Sequence, residues 1–280
     1  MPYCLVLGDP IAHSLSPVIH LAAYRELGLD WDFRRHQVRS GGLKAFLDGA
    51  DTQLRGLALT MPLKPEALQV ATFADGLAKV TGVVNTLVPA AGGDWTGFNT
   101  DVRGVVEAFR QGGVTNLPSG GSGVIFGSGS TAASALAAFT ELGLTELTVI
   151  SRTTSQTGAA FQAAERMGLS VRAVAWHQVE EVNRALHAAH LVMGTVPAPV
   201  QDALPLSQLQ IISYAIFLDA AYAPWPTPLA SWAQRCGAQV IPGWEMLLYQ
   251  GVAQVKLFTG QEVNAEILRP ALHKCVNSAD

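Results

Sequence analysis

The sequence predicts an α/β protein built from two domains. Short apolar runs bounded by glycine and proline alternate with amphipathic stretches along 280 residues, a pattern typical of strands that alternate with helices. Hydrophobic residues make up 49% of the chain and charged residues 14%, which is enough apolar material for a packed core and excludes the disordered class. The length favours two domains, because one domain usually holds roughly 150 residues.

Composition also restricts the partners. A formal net charge of -4 and 18 Lys+Arg without a basic run argue against nucleic acid and favour a small-molecule substrate. We expect no membrane span, because no apolar run reaches about 20 residues. We expect no secretory leader, because the apolar run at residues 3–7 is too short for one and leads directly into a Gly-Asp-Pro turn. Three dispersed cysteines form no CxxC or Cys/His spacing, so we expect no metal site and a reducing compartment, the cytoplasm.

In the first half of the chain, buried-strand patterns alternate with helical ones. Ser16 is the predicted N-cap of the first helix and Pro17 its first residue, while Gly92 and Gly93 predict the turn of a hairpin. Strands are predicted at residues 3–7, 32–38, 57–59, 83–88 and 94–96. Helices are predicted at residues 18–27, 43–49 and 102–111.

A loop rich in proline, serine and glycine, residues 118–123, is the predicted crossing between domains. After it a βαβ unit begins, with strands at 124–126 and 147–150 and a helix at 131–142. Further strands are predicted at residues 171–174, 191–193 and 216–218. Closing helices are predicted at residues 244–258 and 264–276.

The turn of this βαβ unit predicts a dinucleotide site. Residues 127–132, GSGSTA, match G-x-G-x-x-A directly between a strand and a helix. Gly127 and Gly129 allow a tight turn and close approach of the backbone to a pyrophosphate, and the N–H groups of the helix start face the phosphates.

The end of the second strand of the unit predicts NADP and not NAD. An NAD-specific unit usually places Asp or Glu there for the ribose 2′-hydroxyl. Here the segment is Ser151-Arg152-Thr153, with no acid. A guanidinium pairs with a 2′-phosphate, whereas a carboxylate would repel it.

Polar side chains also follow strands in the first half of the chain. Lys64, Asn85 and Asp101 each belong to a polar cluster that flanks a predicted strand, and open α/β sheets bind ligands in the crevice beyond their strand ends. Ser14 and Ser16 place two hydroxyls at a helix start, which suits a carboxylate ligand and equally a plain helix cap.

Six ordered segments of the chain resemble the motifs of the shikimate dehydrogenase family. They are residues 13–17 (HSLSP), 58–64 (ALTMPLK), 82–86 (GVVNT), 99–104 (NTDVRG), 219–229 (DAAYAPWPTPL) and 243–250 (GWEMLLYQ). Their order and spacing make the resemblance highly specific, and it extends over nearly the whole chain.

The resemblance implies roles for individual residues. Lys64 and Asp101 are the expected catalytic pair. The substrate is expected to contact Ser14, Ser16, Thr60, Asn85, Tyr222 and Gln250. The cofactor is expected to contact Gly127, Ser128, Gly129, Ser130, Thr131, Ser151, Arg152, Thr153, Val196, Gly243 and Met246.

The resemblance further implies the reaction: NADPH-dependent, reversible reduction of 3-dehydroshikimate to shikimate, a step of aromatic amino acid and chorismate biosynthesis. Residues 1–103 with 243–280 would form a substrate-binding and catalytic domain. Residues 104–242 would form a Rossmann-type NADP-binding domain, with the active site in the cleft between the two. We expect a monomer or a homodimer.

The chain departs from the family pattern at several positions. Ala58 replaces an asparagine, the phosphate loop is GSGST where GAGGA is usual, and Ser151 replaces an asparagine. Residues 155–158 lack the usual second base, so the preference for NADP could be weaker than in a typical member. Two alternatives stay open: an NAD-using quinate/shikimate dehydrogenase, and a non-catalytic metabolite-binding regulator on the same fold.

Overall fold

The computed structural model describes residues 1–118 and 120–277, and the chain divides into two compact units. Met1–Gly104 and the segment that begins at Leu247 form the first unit, and Val105–Met246 forms the second.

The strands are β1 Tyr3–Gly8, β2 Asp32–Gln37, β3 Leu54–Leu59, β4 Phe73–Ala74, β5 Thr86–Pro89, β6 Trp95–Phe98, β7 Ser122–Phe126, β8 Glu146–Ser151, β9 Val171–Ala175, β10 Leu191–Gly194, β11 Ile216–Asp219 and β12 Gln239–Ile241. The α-helices are α1 Ser16–Glu26, α2 Leu43–Asp48, α3 Lys64–Val70, α4 Gly76–Thr81, α5 Asp101–Gln111, α6 Ser130–Glu141, α7 Ala159–Met167, α8 Val179–Ala188, α9 Ala198–Gln201, α10 Pro228–Arg235, α11 Gly243–Thr259 and α12 Ala265–Asn277.

The sheet of the first unit gathers several loops at one edge. Its order is β2-β1-β3-β5-β6-β4, with β1 parallel to β2 and β3, and with β5 antiparallel to β3 and β6. Because β5 is reversed, its first residue Thr86 pairs with Ala58 near the end of β3 and with Phe98 at the end of β6. The loops after β1, β3 and β6 and the one before β5 therefore lie side by side.

The core of the first unit follows from strand periodicity. Successive residues of a strand point to opposite faces, so Leu5 and Leu7 pack in one layer and Cys4 and Val6 in the other. Phe258 of α11 packs in the second layer, which explains why the C-terminal segment belongs to the first unit.

The second unit is a Rossmann-type domain. All neighbouring strands of its sheet are parallel, in the order β12-β11-β10-β7-β8-β9. Counted along the unit, this is the doubly wound order 3-2-1-4-5-6, with the topological switch point between β7 and β10. The predicted fold class is confirmed for both units.

Both crossings between the units lie within helices. The first falls after Gly104 in α5, and the second falls before Leu247 in α11, whereas the predicted domains change at residues 103/104 and 242/243. The loop 118–123, proposed above as a crossing, belongs to the second unit, and its Ser119 lies outside the described residues. The residues of α5 after Gly104 belong to the second unit because they pack against it: Phe109 of α5 contacts Phe139 of α6, with ring centroids 5.7 Å apart.

Several elements of the structure were not predicted from the sequence. The structure adds α3, α4, α7, α8, α9, α10, β4 and β12 to those predicted. The shortest of them, such as β4 with two residues and α9 with four, hold too few residues for a period to be resolved. The helices α7 and α8, with nine and ten residues, are amphipathic and were nevertheless missed. The predicted cap is also wrong: Ser16 is the first residue of α1, Leu15 is the N-cap, and no side chain caps this helix.

Among the described residues, no helix combines the length and the apolar character needed to cross a membrane.

We predict that Gly56→Ala destabilises the first unit by about 1–3 kcal/mol, because overpacking a core has this cost. A methyl group at Gly56 in β3 would lie 2.1 Å from Cδ1 of Phe258, so the ring of α11 would have to move. The matched control is Gly76→Ala at the start of α4, where the methyl would meet nothing within 4 Å. Urea unfolding measures both; equal midpoints for the two variants would contradict the prediction.

Candidate active site

Lys64 and Asp101 form a buried ion pair at the shared sheet edge of the first unit. Lys64 is the first residue of α3 and Asp101 the first residue of α5. The Nζ of Lys64 donates to Oδ2 of Asp101 at 2.5 Å, and the side chains are 14% and 5% exposed. The two residues paired by the resemblance are thus in direct contact. The Lys64 side chain keeps some exposure, whereas that of Asp101 is almost fully buried.

Asn85 completes the surroundings of the Asp101 carboxylate. Its Nδ2 donates to Oδ1 of Asp101 at 2.8 Å and to the Oγ1 of Thr100 at 2.9 Å. Its Oδ1 accepts the backbone N–H of Thr100 at 2.8 Å. Both carboxylate oxygens therefore have a donor, which a buried carboxylate needs.

Gln250 of α11 reaches the same cluster. Its Oε1 lies 3.4 Å from Nδ2 of Asn85, and its Nε2 donates to the carbonyl of Leu247 at 2.9 Å. Thr60, at the end of β3, is fixed by its backbone N–H, which donates to the carbonyl of Leu7 at 2.9 Å. Five of the predicted residues thus come from one unit, from the loops and helix starts at this sheet edge and from α11: Thr60, Lys64, Asn85, Asp101 and Gln250.

Ser14 lies in the loop after β1 and Ser16 is the first residue of α1, at the same sheet edge. Both residues are buried, and the Ser14 hydroxyl donates to the Oγ of Ser16 at 3.3 Å. Since Ser16 does not cap α1, its hydroxyl is not committed to the helix. Arg35 of β2 donates from Nε to the carbonyl of Ser14 at 2.8 Å, which brings a cation to this loop. Two hydroxyls and a guanidinium suit a carboxylate ligand.

In the second unit, the predicted phosphate loop joins β7 to α6. Gly127 has φ +107°, and a methyl group there would lie 2.3 Å from the Oγ1 of Thr195, so only glycine fits. Gly129 is the N-cap of α6, no side chain caps the helix, and a methyl group at Gly129 would meet nothing within 4 Å. Uncapped N–H groups beside open space at the switch point fit the pyrophosphate of a dinucleotide.

The segment after β8 carries the predicted 2′-phosphate residues. Ser151 donates from its hydroxyl to the carbonyl of Thr153 at 2.6 Å, which shapes the turn. Arg152 is exposed, and no described carboxylate forms a salt bridge with it. The Thr153 hydroxyl lies 3.0 Å from that of Ser155, which in turn lies 3.2 Å from that of Thr157. A row of hydroxyls therefore occupies the stretch where the family usually carries a second base.

The other predicted cofactor and substrate residues of the second unit lie near the ends of β10, β11 and β12. Val196 and Met246 are buried, and Tyr222 is partly buried. Gly243 is required sterically, because a methyl group there would lie 2.5 Å from the carbonyl oxygen of Asp219. Tyr222 belongs to the second unit.

Asp219, the first residue of the segment 219–229, organises this loop. Burial raises its pKa to about 6, and hydrogen bonds from Thr227, Ala221 and Gln201 act in the opposite direction. The Thr227 hydroxyl donates to Oδ2 at 2.5 Å and the backbone N–H of Ala221 to Oδ1 at 3.1 Å. Asp219 thereby fixes both ends of the loop that carries Tyr222.

Fold and site together define a class: a Rossmann-type dinucleotide-binding protein that carries a buried lysine–aspartate pair in a second α/β unit. Residues 6–87 match the shikimate dehydrogenase substrate binding domain, and residues 243–273 match the shikimate 5'-dehydrogenase C-terminal domain. The chain belongs to the shikimate dehydrogenase family.

Individual relatives support this membership. The chain is 33% identical over 273 residues to the shikimate dehydrogenase (NADP(+)) of Methanopyrus kandleri, covering 95% of this chain and 93% of the relative. The crystal structure of Mycobacterium tuberculosis shikimate dehydrogenase matches with a TM-score of 0.84 and 35% identity, covering 98% and 100% of the two chains. Quinate dehydrogenase from Corynebacterium glutamicum, in complex with NAD, matches with a TM-score of 0.82 and 27% identity, covering 98% and 99%.

We predict that Gly129→Ala folds normally and binds NADP at least about tenfold more weakly, since the second glycine of the loop lets the backbone approach the pyrophosphate. The backbone of Gly129, at φ −82°, accepts alanine, and the methyl group meets no protein atom within 4 Å. Calorimetric titration with NADP and thermal unfolding measure the two properties. Gly76→Ala, in the other unit, is the matched control, and unchanged affinity in a folded Gly129→Ala protein would contradict the prediction.

Proposed function

We propose that this protein catalyses the reversible, NADPH-dependent reduction of 3-dehydroshikimate to shikimate. The observation that carries the proposal is the contact between Lys64 and Asp101, buried beside Asn85 and Gln250, in a member of the shikimate dehydrogenase family. The reaction takes up one proton at the ketone oxygen, and an ammonium group held in place by a carboxylate can supply it.

Lys64 and Asp101 have distinct tasks in this proposal. NADPH, held by the residues of the second unit, would supply the hydride for the ketone carbon when bound. The Lys64 ammonium stabilises the negative charge that develops on the oxygen and donates its proton there. Asp101 keeps the ammonium in position through Oδ2 and accepts from Asn85 through Oδ1. In the oxidative direction Lys64 first gives up a proton and then acts as the base.

The remaining residues orient the substrate. Ser14 and Ser16 bind the carboxylate, and Arg35 adds the positive charge that their hydroxyls lack. Thr60, Asn85 and Gln250 bind ring hydroxyls from the same sheet edge as Lys64. Tyr222, in the second unit, is a further proposed substrate contact.

All proposed cofactor residues belong to the second unit, which ends at Met246. The pyrophosphate binds to the backbone N–H groups of Ser128, Ser130 and Thr131, in the loop and at the start of α6. Arg152 and Thr153 bind the 2′-phosphate, and Ser151 holds their turn. Val196, Gly243 and Met246 bound the nicotinamide site.

The proposed reaction needs no residue from a second copy, because Lys64, Asp101, Asn85 and Gln250 come from one chain. A monomer and a homodimer are both compatible with it. We further propose that the protein works in the cytoplasm, in keeping with its three free thiols, Cys4, Cys236 and Cys275.

The second candidate is quinate oxidation with NAD, favoured by the similarity to the C. glutamicum quinate dehydrogenase and by Arg152 being the lone base of its turn. An activity matrix of shikimate and quinate against NADP and NAD, followed by absorbance of the reduced cofactor, distinguishes the candidates. Highest kcat/KM for shikimate with NADP supports the first proposal. Binding of shikimate without turnover in any arm would identify a metabolite-binding regulator.

We predict that Arg152→Ala raises KM for NADP about tenfold or more and leaves KM for NAD within about twofold, because only NADP carries the 2′-phosphate that the guanidinium binds. Arg235→Ala, which removes an exposed arginine of α10, is the matched control. The two KM values are measured with shikimate saturating. Equal effects on both cofactors would exclude Arg152 from 2′-phosphate recognition.

We predict that Lys64→Ala lowers kcat by roughly 10²–10⁴ with a much smaller change in KM for shikimate, because a general acid–base group is lost. The matched control is Lys79→Ala, an exposed lysine of α4 in the same unit. Steady-state kinetics in both directions provide the measurement. Full turnover by a folded Lys64→Ala protein would remove Lys64 from the mechanism.

A further inference from the structure

A line of buried polar side chains leads away from Asp101 through the core of the first unit. Asn85 contacts Thr86, Thr86 contacts Gln254 of α11, and Gln254 contacts His20 of α1. The exposed fractions of these four residues are 1%, 0%, 1% and 0%. The reaction proposed above uses only the first of them directly, so the other three need a reason to be buried.

Two backbone groups set the direction of every hydrogen bond along this line. The N–H of Thr100 can only donate, so the atom of Asn85 that it meets is Oδ1 and the amino group faces Asp101. The carbonyl of Asn85 can only accept, so the atom of Gln254 that lies 3.4 Å from it is Nε2. Both side-chain amides are therefore oriented by groups that cannot reverse their roles.

The hydroxyl of Thr86 lies between these two amides. It accepts from Nε2 of Gln254 at 3.0 Å, so its own proton points to Oδ1 of Asn85, 2.9 Å away. Without Gln254, this hydroxyl is free to turn toward the hydroxyl of Thr100, 3.4 Å away. The amide oxygen of Asn85 would then lose one of its donors.

His20 orients the far end of the line. Oε1 of Gln254 can only accept, so Nε2 of His20, 3.2 Å away, carries the ring proton. The imidazole stacks on Phe33, with ring centroids 4.0 Å apart, and its Nδ1 has no partner among the described residues. Burial lowers the pKa of His20 to about 3, so the ring is neutral at physiological pH.

We propose that Gln254, held in orientation by His20, is a positioning residue for the reaction. Acting through Thr86, it keeps the amino group of Asn85 turned toward Asp101, and Asp101 in turn holds Lys64. The proposal rests on the proposed function, since it concerns the same lysine–aspartate pair. A merely structural role for Gln254 would change stability alone and leave turnover unaltered.

The kinetic test is a double-mutant cycle on Gln254→Met and Thr86→Val, both close in size to the native residues. Each single variant is expected to lower kcat for shikimate oxidation about tenfold, the effect of one lost buried hydrogen bond, with KM for shikimate within about twofold. The double variant should lose no more kcat than either single one, because both changes cut the same line. Thr86→Ser, which keeps the hydroxyl, should recover most of the kcat.

The matched control is Thr259→Val on α11, which removes a hydroxyl bonded only within its own helix and the turn after it. Unchanged kcat in either folded single variant, or additive losses in the double variant, would overturn the proposal. If Gln254→Met fails to fold, Thr86→Val alone tests the proposal. That substitution interrupts the line at its centre, so a native kcat in the variant would overturn the proposal.

A second measurement does not depend on turnover. Nitrogen-15 spectra of the histidine-labelled protein should show His20 neutral, with its proton on Nε2, from pH 8 down to about pH 4. A proton on Nδ1 would reverse the polarity of the line and overturn the proposal. Failure of the shikimate assay with the expected tautomer intact would instead count against the proposed function.

Discussion

The buried pair of Lys64 and Asp101 sets the strictest physical requirement in the first unit. Removing two charges from water costs several kcal/mol for each ion unless the partner and further hydrogen bonds replace the solvent. Here one carboxylate oxygen meets the ammonium and the other meets the amide of Asn85. The antiparallel β5 is what allows this, because it brings Asn85 to the edge where β3 and β6 end. The Lys64–Asp101 ion pair, the Asn85 amide that supports it and the antiparallel direction of β5 thus depend on one another.

The second unit meets a different requirement with different means. Its loop at Gly127 and Gly129 recognises phosphate by backbone geometry, so the absence of a side chain is what matters there. The turn at Arg152 adds one exposed charge, followed by hydroxyls from Thr153 to Thr157. The first unit, by contrast, works through buried side chains that hydrogen-bond to one another, such as Asn85 and Asp101. Substitutions in the two units should therefore affect different quantities, cofactor affinity in one and turnover in the other.

Sequence patterns located much of this arrangement and missed identifiable parts. Polar clusters that flank strands indicated Lys64, Asn85 and Asp101, since open sheets bind ligands at their strand ends. Asn85 precedes β5 and reaches that edge because β5 is antiparallel. Arg35, Thr86 and Gln254 carry no such signal: Arg35 meets a residue 21 positions away and Gln254 one 168 positions away. The expected cap at Ser16 was wrong because the local pattern cannot tell an N-cap from the first residue of a helix.

The sequence by itself determined the α/β class, the Rossmann-type loop, the family and the residues of the lysine–aspartate pair, because periodicity and motif spacing are local properties of the chain. Tertiary structure alone decided where the chain passes from one unit to the other. Phe109 packs against Phe139 in the second unit, and Phe258 packs in the core of the first. Tertiary structure also decided the direction of the hydrogen bonds from Thr100 to His20. That direction depends on which donor faces which acceptor, and residues far apart in the chain fix it only when they meet in the folded protein.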